Sequence, residues 1–227
     1  AVRHDRRHVA RALAQSPIPG PRPMLRLALL TAAPLLLLAC RSTPQAGGDL
    51  RRDSERTLEA VLQRAEDGDV EAQLTAAGLF LEGERVPADP REAARWYGAA
   101  AHAGSAEAQF ALGILTEQGA MGFEDEAEAA RWYTLAADRG HPEALHNLAL
   151  MHLQGRGVDL DQELGFALLG EAASAGVVEA SYAYGLAQLE GRAGLDDPVE
   201  GVEHVRRAAE RGMPLAMATL ASLYTQD

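Results

Sequence analysis

Glycine stands at Gly68, Gly104, Gly140, Gly176 and Gly212, always 36 residues apart, and alanine follows four residues after each, at Ala72, Ala108, Ala144, Ala180 and Ala216. A period of that length, held without an insertion, is what a stack of helix pairs requires, because each unit must meet the next in the same register. A chain built this way carries its function on a surface.

Other columns keep the register. Asp89, Asp125, Asp161 and Asp197 each precede an alanine-rich run and read as helix N-caps. Glu92, Glu128 and Glu200 stand three residues after three of them, the pattern of a reciprocal capping box. Pro90 and Pro198 occupy the first helical position. These second helices run through the paired alanines Ala100-Ala101, Ala136-Ala137, Ala172-Ala173 and Ala208-Ala209 to the periodic glycine, where a left-handed backbone suits glycine. Arg139 and Arg211 sit just before that end.

Each first helix opens after the glycine, with Ser105 as a cap and Pro142 and Pro214 in the first turn. It carries one apolar stripe through Leu112, Leu148, Tyr184 and Leu220, then Leu79, Leu115, Met151 and Leu223. A second glycine column, Gly83, Gly119, Gly155 and Gly191, closes it. The alanine column lets helices approach to about 8 Å. No position calls for a strand. Thr57 to Asp67 reads as a lone second helix before the first unit and the segment after Gly212 as a lone first helix, so the spacing predicts ten helices: four units and a half unit at each end, over 55–227.

Stretches such as Ala106-Glu107-Ala108-Gln109-Phe110-Ala111-Leu112-Gly113, Glu128-Ala129-Ala130-Arg131-Trp132-Tyr133 and Ala136-Ala137-Asp138-Arg139-Gly140 resemble the Sel1-like repeat, a relative of the tetratricopeptide repeat. The resemblance covers roughly 57–227 and departs at Leu168 and His204, where Trp96 and Trp132 stand in the earlier units. It implies an all-α, right-handed α/α superhelical solenoid that binds a partner and is not an enzyme.

The first 54 residues lie outside the repeats. Met24-Leu25-Arg26 and the apolar run Leu27–Leu38 are too short to span a bilayer, which takes about 20 residues, and suit a signal-peptide core. The run ends in Leu37-Leu38-Ala39-Cys40, which resembles the lipobox of bacterial lipoproteins. That resemblance implies cleavage after residue 39, lipidation of Cys40, the chain's one cysteine, and, with Arg41 following, the periplasmic face of the outer membrane. Residues 1–23, with Arg3, Arg6, Arg7 and Arg11, read as an extension upstream of the start at Met24. Residues 40–54 read as lipidated cysteine and flexible tether, with Pro44 and Gly47-Gly48. Several acyl chains, at about 0.8 kcal/mol per buried methylene, would hold it on the membrane.

From Cys40 onward 15 arginines face 32 acidic residues. Such a surface disfavours nucleic acid and anionic lipid. The sequence contains no lysine, which removes P-loop phosphate binding, Schiff-base chemistry and the Ser-x-x-Lys nucleophile. His141, His146 and His152 are spaced by five and six, on different helix faces, and give no His-Glu-x-x-His zinc site. Gly155-Arg156-Gly157 follows a helix and so is not a nucleotide loop. Neither cofactor nor metal is expected.

Aligned with the tetratricopeptide pattern through Leu112-Gly113 and Tyr184-Gly185, the concave groove takes Glu71, Glu107, Glu143 and Glu179, then Leu74, Phe110, His146 and Tyr182. Ile114, Leu150, Leu186, Glu117, Gln118 and Gln154 lie further along. An apolar strip beside a ladder of carboxylates suits a protein partner presenting a basic or amphipathic segment. The same positions can instead pack on the neighbouring unit or serve helix-start electrostatics. Two other functions stand beside a protein-binding scaffold. Binding of peptidoglycan or polysaccharide would use exposed Trp96, Trp132 or Tyr133 as stacking platforms, and hydrolysis of a cell-wall or β-lactam substrate is the remote third.

Overall fold

The computed structural model describes residues 50–225 apart from Glu84, Met121 and Phe123, with side chains from Leu58 onward. The signal-peptide, lipidation and tether readings on residues 1–49, Cys40 included, fall outside the described residues. Ten α-helices and no strand occur among them: α1 (Leu50–Glu66), α2 (Val70–Glu82), α3 (Pro90–His102), α4 (Ala106–Glu117), α5 (Glu126–Ala137), α6 (Pro142–Gln154), α7 (Gln162–Ser174), α8 (Val178–Glu190), α9 (Pro198–Glu210) and α10 (Pro214–Tyr224). The first begins at Leu50 and not at Thr57. Two compact units result, one ending at Ala103 and the other beginning at Gly104.

The local rules read from the sequence operate. Asp89, Asp125, Asp161 and Asp197 each accept a backbone N–H through the side chain. Gly68, Gly104, Gly140, Gly176 and Gly212 hold φ between 77° and 97°, where a side chain would be strained. One expectation is corrected. At Asp89 and Asp125 the reciprocal half of the capping box is replaced by another bond, the backbone N–H donating to the carbonyl of Phe80 and Thr116 at 2.8 and 3.4 Å, and Asp161, which has no glutamate three residues on, bonds His152 in the same way at 3.0 Å. Glu92 meets Arg95 instead, and Glu200 accepts from Gln188 Nε2 at 2.8 Å. The capping aspartate thus fastens the loop to the preceding helix while opening the next.

Helix contact is set by small residues. Ala108, Ala144, Ala180 and Ala216 are fully buried and Ala72 nearly so, as close crossings demand. Gly113 continues the idea: a Cβ there would fall 2.5 Å from the Tyr133 ring, so its absence seats that ring on α4.

In the unit ending at Ala103, Ala65, Ala72, Ala76, Ala77 and Trp96 form the core, and Gln73 Nε2 donates to the Ala65 carbonyl at 3.1 Å. In the unit beginning at Gly104, Phe166, Leu169, Ala172 and Ala180 form one apolar cluster and Val205, Ala208 and Ala216 another. Arg211 spans a whole repeat there, its Nη1 donating to the Gly176 carbonyl at 2.8 Å.

Candidate functional site

The start of each first helix fixes the site. The residue after each periodic glycine is Asp69, Ser105, His141, Val177 or Met213. Asp69 Oδ1 and Ser105 Oγ accept from backbone N–H groups three residues on, both at 3.2 Å, and Val177 and Met213 supply no side-chain cap. His141 does supply one: its Nδ1 accepts from the Ala144 N–H at 3.4 Å. The sequence reading treated His141 only as a rejected metal ligand, although its column pointed to this role.

Two residues into each helix stand the glutamates. Glu107, Glu143 and Glu179 are exposed at the starts of α4, α6 and α8. Histidines fall between them. Glu143 Oε2 lies 3.4 Å from His141 Nδ1, and Glu107 also faces that ring. His146 faces Glu143 on its own helix and Glu179 on α8. Its Nδ1 is buried and unpaired. Burial holds both imidazoles below the ordinary histidine range, overcoming the carboxylates that favour their charged forms. A row therefore runs Glu107, His141, Glu143, His146, Glu179, with burial favouring the neutral form of both histidines.

The other groove residues divide. Half-buried Phe110 stacks on His141 at 4.4 Å between ring centroids and lies 5.9 Å from Tyr133, flooring the row. Tyr182 turns to the next repeat, its hydroxyl 3.0 Å from Thr219 Oγ1. Ile114 is buried, Leu150 and Leu186 are half-buried, and Gln118 is exposed. Glu71, exposed, and Leu74, half-buried, stand on α2 in the unit ending at Ala103.

Glu117 points inward. Its Oε2 accepts from the buried Tyr133 hydroxyl at 2.8 Å and its Oε1 from Arg156 Nη1 at 2.9 Å. Arg156 also reaches Glu126 at 3.3 Å, and its Nε donates to Gln154 Oε1 at 2.8 Å. Burial first, then Glu117, raises the Tyr133 phenol far above its ordinary range. Gly157 completes the joint: with φ at 65°, a Cβ would sit 2.2 Å from the Glu126 carbonyl oxygen. The Gly155-Arg156-Gly157 sequence is a fastening between repeats.

The aromatic residues offered as sugar platforms are corrected. Trp96 is 4% exposed, with Arg95 stacked 4.1 Å from its ring, and Tyr133 is fully buried. Both are core residues, and Trp132 is half-buried. Among the described residues no cluster of three or more His, Cys, Asp or Glu is placed to hold a metal ion.

Helix pairs at a constant 36-residue interval, with glycine ends and alanine crossings, define a helical-repeat protein. The family model of the Sel1 repeat matches four times in succession, at residues 70–105, 106–141, 142–177 and 178–213, and the chain belongs to the Sel1 repeat family. The chain is similar to c5321, a protective antigen of uropathogenic Escherichia coli with an SLR fold, at 31% identity and a TM-score of 0.72 over 74% of this chain. It spans 36% of that antigen's length. It is also similar to a Sel1 repeat protein from Oxalobacter formigenes, at 27% identity and a TM-score of 0.69, covering 78% of this chain and 73% of that one. No curated protein matches it. Sel1 repeat proteins generally act as protein-interaction scaffolds, and the fold is typically non-enzymatic.

Proposed function

We propose that this protein is a lipid-anchored scaffold of the bacterial cell envelope, held at the periplasmic face of the outer membrane through Cys40. It binds a protein partner along the face formed by the starts of α4, α6 and α8. The observation that carries the reading is the row itself: Glu107, Glu143 and Glu179 stay exposed at the starts of three successive first helices. Phe110, His146 and the half-buried Leu150 and Leu186 supply an apolar floor. Carboxylates over an apolar floor favour a partner segment with arginine or lysine beside aliphatic or aromatic side chains. Tyr182 joins its repeat to the following helix through the bond to Thr219. Glu71 holds the equivalent sequence position in its own repeat, on α2.

The test retains partners from detergent-solubilised envelope on residues 41–227, comparing the natural sequence with Glu107→Arg, Glu143→Arg, Glu179→Arg at matched Tm. A protein retained by the first and lost by the second identifies both face and partner. Identical retention refutes the face. Lipid attachment is tested separately: Cys40→Ala should abolish incorporation of labelled palmitate and release the protein from membranes.

A further inference from the structure

The two histidines in the row are placed to control it. His141 Nδ1 has two neighbours at 3.4 Å, the Ala144 N–H and Glu143 Oε2. It cannot serve both in one protonation state. A neutral nitrogen offers a lone pair to the amide and caps α6; a protonated one has no lone pair there and donates to the carboxylate instead. Taking up a proton therefore exchanges a helix cap for an ion pair that occupies Glu143. His146 has no competing cap to lose. Its buried Nδ1 lacks a partner, and the charged groups facing it are Glu143 on α6 and Glu179 on α8. A charge on its ring would lie between those two carboxylates. For His141 the facing charged groups are Glu143 on α6 and Glu107 on α4, with Phe110 of α4 against the flat of the ring.

We propose that His141 and His146 form a proton-operated gate on the acidic face: neutral, they leave three uncompensated carboxylates that hold a cationic segment, and protonated, they compensate two of the three and release it. This deepens the binding function proposed above and rests on it.

The pH window follows from the groups involved. Both histidines are held by burial below the ordinary value of about 6.5, so proton uptake begins only as the pH falls beneath it. A model glutamate carboxyl titrates near about 4.3, so the window in which imidazole charge changes lies between the two values. Binding of a cation is thus full above pH 7 and declines as the medium acidifies. Compensating two of the three carboxylates should weaken a multiply charged ligand by roughly tenfold or more.

The probe is a fluorescein-labelled nona-arginine peptide, measured by anisotropy against the full chain in non-ionic detergent at fixed ionic strength, at pH 7.5 and 5.0. The comparison variant is His141→Asn with His146→Phe. Asparagine preserves the helix cap without titrating, and phenylalanine is the residue at the matching position 110. The natural sequence should lose about tenfold in affinity between pH 7.5 and 5.0, while the variant, whatever its affinity at pH 7.5, loses less than twofold over the same interval. Equal declines in both, or no decline in the natural sequence, overturn the gate. Loss of binding at pH 7.5 in Glu107→Arg, Glu143→Arg, Glu179→Arg would show that the acidic face survives that failure. Binding that is absent at pH 7.5, or indifferent to the triple reversal, removes the face and the gate together. A second readout needs no folded double variant: in NMR titrations of the histidine ring protons, Glu143→Gln should lower the pKa of His141. An unchanged value overturns the proposal.

Discussion

Tyr133→Phe removes one oxygen from the interior and leaves the ring that fills the space over Gly113. The lost hydroxyl donates to Glu117 Oε2 at 2.8 Å, in a site where the tyrosine is fully buried and the Glu117 side chain is 11% exposed. Hydrogen bonds to charged groups contribute about 1.5–3 kcal/mol net. Arg156 remains on the other carboxylate oxygen at 2.9 Å, so Glu117 does not become an isolated buried charge and the cost stays in the lower part of that range, about 2 kcal/mol. For a folded region of this size that lowers Tm by roughly 4–8 °C. The assay is urea unfolding, with amide exchange resolving α4–α6, run as a double-mutant cycle with Glu117→Gln. A coupling energy of at least about 1 kcal/mol is expected. A cost under about 0.5 kcal/mol with no coupling would refute the claim that this bond ties α4 to α5 within the repeat. The matching positions elsewhere are Leu81, Leu153 and Leu189 for Glu117, and Tyr97, Leu169 and Val205 for Tyr133. An apolar joint is therefore an available alternative, and Glu117→Leu with Tyr133→Leu should be less damaging than Tyr133→Leu alone.

Other substitutions probe the remaining devices. Gly157→Ala places a Cβ on the Glu126 carbonyl in a left-handed backbone and should cost about 1–3 kcal/mol, concentrated in α5 and the loop after α6, as amide exchange will show. Ala144→Leu should overpack its crossing by about 1–3 kcal/mol in chemical unfolding, while substitutions at exposed Glu163 should stay within about 0.5 kcal/mol. His204 is 3% exposed, edge-on to Tyr184 at 5.2 Å, and burial lowers its pKa. The unfolded chain therefore takes up that proton first, so stability present above about pH 6.5 is lost as the pH falls. Protection factors in α9 should drop between pH 7.5 and 5, and His204→Phe should reduce that drop.

The columns that could be read directly were those in which backbone geometry or close contact admits few residues. Positive φ selects glycine, a crossing selects alanine, and an N-cap selects aspartate or serine, so Gly104, Ala108, Asp125 and Ser105 announced themselves. Side chains whose role depends on a distant partner did not. Glu117 shares a helix and an outward-looking position with the ladder, yet the buried Tyr133 hydroxyl, 16 residues on, draws it inside. Phe110 and His141 lie 31 positions apart, and only the packing of α4 beside the start of α6 brings their rings together. The reciprocal capping box failed for a similar reason. The aspartate N–H is claimed by a carbonyl nine residues earlier, and the path of a loop is not written in a three-residue spacing.

That bond from each aspartate to the preceding helix has a consequence for the length of the array. The loop is tied at one end by the left-handed Gly83, Gly119 or Gly155 and, six residues on, by Asp89, Asp125 or Asp161, whose bond reaches back nine residues in each of three consecutive repeats. A single inserted residue would have to break one tie or rotate the following helix by about 100°, turning its alanines away from the crossing. Growth or shrinkage is therefore quantised. Removing 142–177 as a block would set Glu107 and Glu179 on neighbouring rungs with every cap intact, whereas removing one residue from the same stretch would disturb the register of everything after it.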